Sequence, residues 1–126
     1  MANILVVDDE PDVLEFQKAF LERRKHSVFT ASNTDDAIEA ARTNNLDVIF
    51  CDLKLEQDKS GLDILEQVKK IKPQVAFYLI SGFVDKETEE KGLSLGAREV
   101  LTKPLKNDKL EEKISEAITY GAHRAT

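Results

Sequence analysis

The sequence predicts an α/β protein with a doubly wound, open parallel sheet built from five βα units. Two observations support this prediction. Five short runs of β-branched and other apolar residues alternate with segments whose apolar residues recur at helical spacing. Several of the runs are apolar on both faces, which is typical of parallel strands that helices cover on each side. The runs assigned to strands are Ile4–Val7, Val28–Ala31, Val48–Cys51, Val75–Ile80 and Glu99–Leu101.

The segments after the first, second, third and fifth strands have the features of amphipathic helices. Pro11 suits the first turn of the first helix, Asn33 is placed to cap the second, and Pro73 predicts that the third ends before it. The apolar stripes expected to face the sheet are Val13, Phe16, Phe20 and Leu21 in the first helix, Ile38 and Ala41 in the second, Ile64, Leu65, Val68 and Ile71 in the third, and Leu110, Ile114, Ala117 and Ile118 in the last.

The segment from Asp85 to Leu95, after the fourth strand, is highly charged. It has apolar anchors only near Leu93 and Leu95, and it contains Gly92. Glycine costs about 1 kcal/mol relative to alanine inside a helix. We therefore predict a helix here that is less firmly held than the other four.

The composition fits one stand-alone domain, which we expect over residues 1–120, followed by a flexible tail at 121–126. The 18 basic and 24 acidic residues give a net charge of −6, which argues against direct nucleic-acid binding. No apolar run approaches the roughly 20 residues that cross a bilayer, so we expect no membrane insertion. The single cysteine, Cys51, lies in an apolar run, and we interpret it as a core residue of a cytoplasmic protein.

Polar residues follow four of the predicted strands within one or two positions. They are Asp8 and Asp9, Asp52, Ser81, and Lys103. Because the carboxyl ends of parallel strands lie at one edge of a sheet, these side chains should meet in one pocket. Carboxylates suit Mg²⁺, and a carboxylate can attack phosphorus to give an aspartyl phosphate. The sequence therefore predicts a site for one Mg²⁺ and one phosphoryl group, with Asp52 as the nucleophile, Lys103 as a second positive charge and Ser81 as a hydrogen-bond donor.

With this pattern the chain resembles the response-regulator receiver domain, the phosphoacceptor half of two-component signalling, along nearly its whole length. That family has an acidic pair after strand one, an aspartate after strand three, Ser or Thr after strand four, and Lys-Pro after strand five. The matching residues here are Asp8, Asp9, Asp52, Ser81, Lys103 and Pro104. The resemblance implies a flavodoxin-like strand order, 2-1-3-4-5.

The resemblance also implies residue roles and partners. The implied Mg²⁺ ligands are Asp8, Asp9, Asp52 and the Lys54 backbone carbonyl, and Asp52 is the residue that becomes the 4-aspartylphosphate. The implied catalytic groups are Asp52, Ser81 and Lys103. The implied switch positions are Ser81, Val100, Lys103 and Pro104. A cis Lys103–Pro104 bond is implied as well. The implied partners are a sensor histidine kinase or a histidine phosphotransfer protein, an unidentified downstream protein, and a second copy of the chain through the fourth helix, fifth strand and fifth helix. The protein would promote its own phosphorylation and dephosphorylation without turning over a separate substrate.

The chain departs from the family pattern at three places. Glu56 and Ser60 stand where the family often has proline and glycine, and Gly61 comes one position late, which predicts a one-residue insertion in the loop 54–60. The usual aromatic switch residue is replaced by Val100. Finally, Lys54 and the bulky Phe83 each lie two residues after a site residue and flank the expected phosphate.

Two other functions share part of this pattern. A metal-dependent phosphatase or phosphotransferase would also use an aspartyl nucleophile, but it needs a general acid where this chain has Lys54, and a substrate-recognition cap. A flavin-binding module of the same fold needs a phosphate loop after strand one. Here that position holds Asp8-Asp9-Glu10-Pro11, which would repel phosphate.

Overall fold

The computed structural model of the chain describes residues 2–55 and 60–125, with side chains up to residue 119. The strands are β1 (Asn3–Val7), β2 (Ser27–Ala31), β3 (Val48–Asp52), β4 (Ala76–Ser81) and β5 (Glu99–Thr102). The helices are α1 (Pro11–Arg23), α2 (Thr34–Thr43), α3 (Gly61–Ile71), α4 (Lys86–Ser94) and α5 (Asn107–Ala125). All strand pairs are parallel, and the sheet order is β2-β1-β3-β4-β5. The predicted fold and strand order are therefore confirmed.

The sheet separates two apolar cores, because side chains alternate between its faces. Ile4 and Val6 of β1 join the core that includes residues of α1 and α5. Leu5 and Val7 join the opposite core, which includes residues of α2 and α3. Every residue of β3 and β4 is buried, as expected for central strands that helices cover on both sides. Cys51 is one of these core residues, as predicted.

The predicted stripe of α1 is partly wrong. Leu14, Gln17 and Leu21 are the buried residues, and their i, i+3, i+7 spacing places them on one face of the helix. Phe16 lies on a different side and is 64% exposed. Ile71 and Ile118, at the edges of their predicted stripes, are exposed as well. In α2 the buried residues are Ala37 and Ala41, so its contact with the sheet is made by small side chains.

The helix ends follow local signals in the sequence. Asn33 caps α2, where its side-chain oxygen accepts a hydrogen bond from the Asp36 N–H at 2.8 Å, as predicted. Pro11 occupies the first turn of α1. Ser60 and Asp63 form a capping box at the start of α3, and this helix ends at Ile71, before Pro73. These local signals define where α1, α2 and α3 begin.

Gly92 brings α4 close to the sheet. A Cβ atom at this position would lie 2.9 Å from Leu79 Cδ1 and 3.3 Å from Val100 Cγ2, so a larger residue would require either the helix or these side chains to shift. Gly92 is the buried residue of α4, and Leu95 packs at the edge of the core. Leu93 is exposed and is not the anchor that the sequence predicted. The helix is attached through few apolar side chains, but at a defined point of contact.

The structure does not test two of the sequence predictions, the insertion in the loop after β3 and the flexible C-terminal tail. Glu56 and the rest of the segment 56–59, which contain the predicted insertion, lie outside the described residues. The helix α5 continues to Ala125, and a flexible tail after residue 120 stays a prediction. Among the described residues, no helix combines the length and apolar character needed to cross a membrane.

Candidate acidic site at the carboxyl edge of the sheet

Strand register brings the predicted site residues together. Val7 pairs with Cys51, so Asp8 and Asp52 follow neighbouring positions on β1 and β3. Asp52 is itself the last residue of β3, and Ser81 is the last residue of β4. Lys103 comes directly after β5. The side chains therefore meet at the carboxyl edge of the sheet, as the order of strands and helices predicted.

Three carboxylates form the centre of the site. One oxygen from each of Asp8, Asp9 and Asp52 lies within 4.8 Å of the others. Asp8 and Asp52 are buried, whereas Asp9 is half-buried. The Glu10 N–H donates to Asp8 Oδ1 at 2.9 Å, and the Lys54 N–H donates to Asp52 Oδ1 at 3.3 Å. Backbone donors thus orient two of the three carboxylates.

Lys103 provides the positive charge of the site. Its Nζ donates to Asp52 Oδ2 at 2.8 Å and lies 3.7 Å from Asp8 Oδ2. Burial alone would lower the pKa of Lys103, but the hydrogen bond and charge of Asp52, together with the charge of Asp8, raise it above its ordinary value. Burial raises the pKa of Asp8, aided by the charges of Asp52 and Asp9, against the Glu10 hydrogen bond and the charge of Lys103. The positive charge of Lys103 therefore offsets only part of the negative charge of the three carboxylates.

Ser81 is buried and is hydrogen-bonded to the loop that follows β4. Its hydroxyl donates to the Phe83 carbonyl at 2.8 Å, and the Phe83 N–H donates back to Ser81 Oγ at 3.3 Å. A Cβ atom at Gly82 would meet nothing within 4 Å, so the loop is open between these two residues. Phe83 is 76% exposed. The single proton of the Ser81 hydroxyl is thus donated to the Phe83 carbonyl in this structure.

The loop after β3 approaches the site through its backbone. Lys54 is exposed and pairs with Ser60 in an isolated antiparallel bridge. A Cβ atom at Gly61 would lie 2.5 Å from the Asp52 carbonyl oxygen, and the Gly61 N–H donates to Leu53 O at 2.7 Å. From the sequence alone, Gly61 is distinguished only by its displacement from the family pattern. In the structure this glycine lets α3 begin directly against the end of β3.

The two remaining switch positions are also located. Val100 is half-buried on β5 and faces Gly92 of α4, so a small side chain occupies the position of the family's aromatic residue. The Lys103–Pro104 peptide bond is cis, as the resemblance implied.

A cleft beside the acidic site was not predicted from the sequence. It has a volume of about 580 Å³ and lies between α1 and the segment that leads from β5 to α5. Asp8 and Lys103 line both the cleft and the acidic site, and Phe16, Gln17 and Leu105 form part of its wall. The exposure of Phe16, which the sequence assigned to the core, is explained by this cleft.

Comparison with known proteins identifies the family. Residues 4–115 match the family model described as the response regulator receiver domain. The chain is 30% identical to the transcriptional regulatory protein ZraR of Klebsiella oxytoca, over 94% of this chain and 26% of ZraR. It is 32% identical to the response regulator protein PilR of Pseudomonas aeruginosa, over 90% of this chain and 25% of PilR. The chain thus belongs to the response regulator receiver domain family.

Solved structures agree with this assignment. A response regulator receiver domain protein from Clostridium thermocellum is 35% identical, with a TM-score of 0.86 over 97% of this chain and 98% of that one. The beryllofluoride-activated NtrC4 receiver domain dimer is 27% identical, with a TM-score of 0.84 over 93% of this chain and 96% of that one. The chain spans about a quarter of the length of the curated relatives named above.

Proposed function

We propose that the chain is a phosphoacceptor of a two-component system or phosphorelay. It takes a phosphoryl group onto Asp52 from a histidine kinase or a histidine phosphotransfer protein, and its partner-binding surface then changes. The main support is the position of Asp52, a buried carboxylate whose Oδ2 lies 2.8 Å from Lys103 Nζ and which lies close to two further carboxylates. Family membership supports the same role.

The proposed reaction uses the carboxylate of Asp52 as the nucleophile. Its oxygen forms a bond to phosphorus while the P–N bond of the donor phosphohistidine breaks and the imidazole nitrogen leaves with the electron pair. Lys103 moves from pairing with the free carboxylate to pairing with the phosphoryl oxygens, which carry more negative charge. The Ser81 hydroxyl, at the end of the neighbouring strand, donates to another phosphoryl oxygen. The protein thereby promotes its own phosphorylation and dephosphorylation and turns over no separate substrate.

The acidic cluster fits a divalent cation. All three side chains offer carboxylate oxygens, the ligand type that Mg²⁺ prefers, and their oxygens lie within 4.8 Å of one another. Asp8, Asp9 and Asp52 would hold Mg²⁺ together with the Lys54 backbone carbonyl. When bound, the ion neutralises charge on the phosphoryl group and on the excess carboxylates.

The output surface in this proposal is the face formed by α4, β5 and α5. The Ser81 hydroxyl connects the phosphorylated site to the loop that leads into α4. A second copy of the chain is one candidate partner, because the similar NtrC4 receiver domain is described as an activated dimer. A downstream protein in the cytoplasm is the other.

The experiment that tests this function uses acetyl phosphate as a small phosphodonor in the presence of Mg²⁺. Intact-mass spectrometry should show one added phosphoryl group on the wild-type protein, and Asp52→Asn should abolish it. Asp35→Asn, which removes an exposed aspartate at the start of α2, is the matched control and should label normally.

Three outcomes would contradict the proposal. One is equal labelling of Asp52→Asn and the wild type, and a second is a modification mapped to another aspartate. The third is continuous release of phosphate from a small phosphoester, with no acyl phosphate on the protein. That last result would support the phosphatase alternative instead.

A further inference from the structure

Gly61, the first residue of α3, lies against the backbone of the phosphoacceptor. It is buried, and a Cβ atom at this position would lie 2.5 Å from the Asp52 carbonyl oxygen and 3.1 Å from Leu53 Cα. Both neighbours are backbone atoms, which cannot turn aside as the end of a flexible side chain can. Glycine is therefore the residue that fits here without displacing the chain at Asp52.

Hydrogen bonds hold the chain that follows β3 between α3 and β4. The Gly61 N–H donates to the Leu53 carbonyl at 2.7 Å, and the Leu53 N–H donates to the Ile80 carbonyl at 2.7 Å. The next residue, Lys54, forms an isolated antiparallel bridge with Ser60, the residue before Gly61. Because Leu53 is bonded on both sides, the position of this backbone depends on where α3 begins.

The backbone held in this way belongs to the acidic site. The Lys54 N–H donates to Asp52 Oδ1 at 3.3 Å, and the Lys54 carbonyl is part of the proposed set of Mg²⁺ ligands. A donor of this kind is effective when it is already aligned before the reaction. Misplacing groups that orient a reaction by about 1 Å can lower its rate roughly a hundredfold. A residue that fixes the Lys54 backbone therefore acts on the reaction without contacting the phosphoryl group.

We infer that Gly61 is a positioning residue for phosphoryl transfer to Asp52. Because it has no side chain, α3 begins against the Asp52 carbonyl, and this sets the Lys54 backbone where its N–H orients the carboxylate. The inference rests on the proposed function. It assigns the role to one glycine at the start of α3, a residue that carries no chemical group of its own.

Gly92 of α4 offers a matched comparison. A Cβ atom there would lie 2.9 Å from Leu79 Cδ1, and a Cβ atom on Gly61 would lie 3.0 Å from Leu79 Cδ2. Both alanine substitutions therefore press on the same fully buried leucine, and both should lower the stability of the fold. Only Gly61→Ala also presses on the backbone of Asp52 and Leu53. The difference between the two variants thus isolates the effect on the site from a general loss of stability.

The test compares wild type, Gly61→Ala and Gly92→Ala, each first shown by urea denaturation to unfold cooperatively. Isothermal titration calorimetry measures Kd for Mg²⁺, and intact-mass spectrometry measures the rate of labelling by acetyl phosphate at saturating Mg²⁺. Gly61→Ala should raise Kd about tenfold or more and lower the labelling rate by a similar factor. Gly92→Ala should keep both values within about twofold of wild type, because it lies apart from the site.

A further measurement needs neither the metal nor a phosphodonor. In EDTA, Gly61→Ala should shift the amide proton resonance of Lys54 in the NMR spectrum, because the hydrogen bond to Asp52 Oδ1 changes in length. Gly92→Ala should leave this resonance in place. If Gly61→Ala does not fold, Ser60→Ala replaces it in all three measurements. That variant adds no atoms but removes the hydroxyl that accepts from the Leu62 N–H at the start of α3, and it should show the same changes at several-fold smaller size.

The possible results separate the inference from the proposed function. If wild type binds Mg²⁺ and is labelled, but Gly61→Ala matches either wild type or an equally impaired Gly92→Ala, the role of Gly61 is overturned and the proposed function stands. An unshifted Lys54 resonance in Gly61→Ala overturns the inference as well. If wild type neither binds Mg²⁺ nor accepts phosphate, the proposed function itself fails, and the inference fails with it.

Discussion

At the scale of single residues, the site is built with an excess of negative charge. Three carboxylates face one ammonium group, and Lys103 is shared between Asp52 and Asp8. Burial raises the pKa of Asp8 because it disfavours the charged form, and the charges of Asp52 and Asp9 raise it further. Such a cluster lowers the stability of the folded protein, and the proposed binding of a cation and a phosphoryl group would account for its presence.

Replacing Asp8 by asparagine should therefore stabilise the metal-free protein. The folded-state pKa of Asp8 lies above its unfolded value of 3.8, so its contribution to stability is present at low pH and lost as pH rises through the folded pKa. At pH 7, in EDTA, Asp8→Asn should raise the free energy of unfolding, and the gain should be modest because solvent screens this partly buried site. The gain should shrink as the pH is lowered toward 4. Urea denaturation at both pH values measures it.

In Mg²⁺, wild type should become more stable than Asp8→Asn. A cation that binds only the folded state stabilises wild type by about 2.7 kcal/mol at a hundredfold excess over Kd, and Asp8→Asn should lose most of this increment. If Mg²⁺ leaves the stability of wild type unchanged, the cluster is not a metal site. If Asp8→Asn is less stable than wild type in EDTA at pH 7, the electrostatic account of Asp8 is wrong.

At the scale of elements, the strands could be predicted because they depend on local sequence pattern. The convergence of the polar residues at their carboxyl ends then follows from the alternation of strands and helices. The strand ends were predicted less accurately. β3 and β4 each extend one residue beyond the predicted end, so Asp52 and Ser81 belong to the strands. The inward face of α1 was misassigned at Phe16. Apolar spacing alone could not show that this phenylalanine faces a cleft while the polar Gln17 turns inward. Such choices depend on neighbouring elements that come from distant parts of the chain.

Gly92 is a second position where contacts with distant elements could not be predicted. The sequence indicates the low helix propensity of glycine but not which side chains this residue contacts. Gly92→Ala should gain about 1 kcal/mol of propensity, yet its Cβ would press against the fully buried Leu79. Overpacking of this kind costs about 1–3 kcal/mol, so we expect a net loss of stability in urea denaturation. Gly82→Ala is the control, since a Cβ there meets nothing within 4 Å, and it should stay within about 0.5 kcal/mol of wild type. A more stable Gly92→Ala would mean that α4 is not seated on the sheet at this point.

At the scale of the whole molecule, the residues that stabilise the fold are separate from those that would carry the proposed signal. The two cores bury β3 and β4 completely, so the position of Asp52 is rigidly defined. The segment from Gly82 to Ser94 is attached more lightly, because Phe83 and Leu93 are exposed and Gly92 is the buried residue of α4. Local rearrangement is easiest where few apolar contacts resist it. Under the proposed function, this division would let phosphorylation change one surface while the sheet stays intact.

Phosphorylation should therefore change hydrogen exchange most between Ser81 and Leu95. The Ser81 hydroxyl has one proton to donate, and in this structure it donates to the Phe83 carbonyl at 2.8 Å. Once that proton is directed to a phosphoryl oxygen, the Phe83 carbonyl loses its partner, and the loop and α4 should rearrange with Phe83. Val100 is too small to replace this route by swinging between buried and exposed positions.

Exchange should be measured by mass spectrometry with Mg²⁺ alone and with acetyl phosphate added, using Asp52→Asn as the control that receives the same donor. Wild type should show its largest change in peptides that cover residues 81–95, and Asp52→Asn should show none there. A second variant, Ser81→Ala, should still accept phosphate on Asp52 but should transmit less of the change to α4, because it lacks the hydroxyl that connects the site to Phe83. If the response of wild type is confined to residues 53–60 while residues 81–95 keep their protection, the route through Ser81 is wrong, and the loop after β3 is the surface that carries the signal.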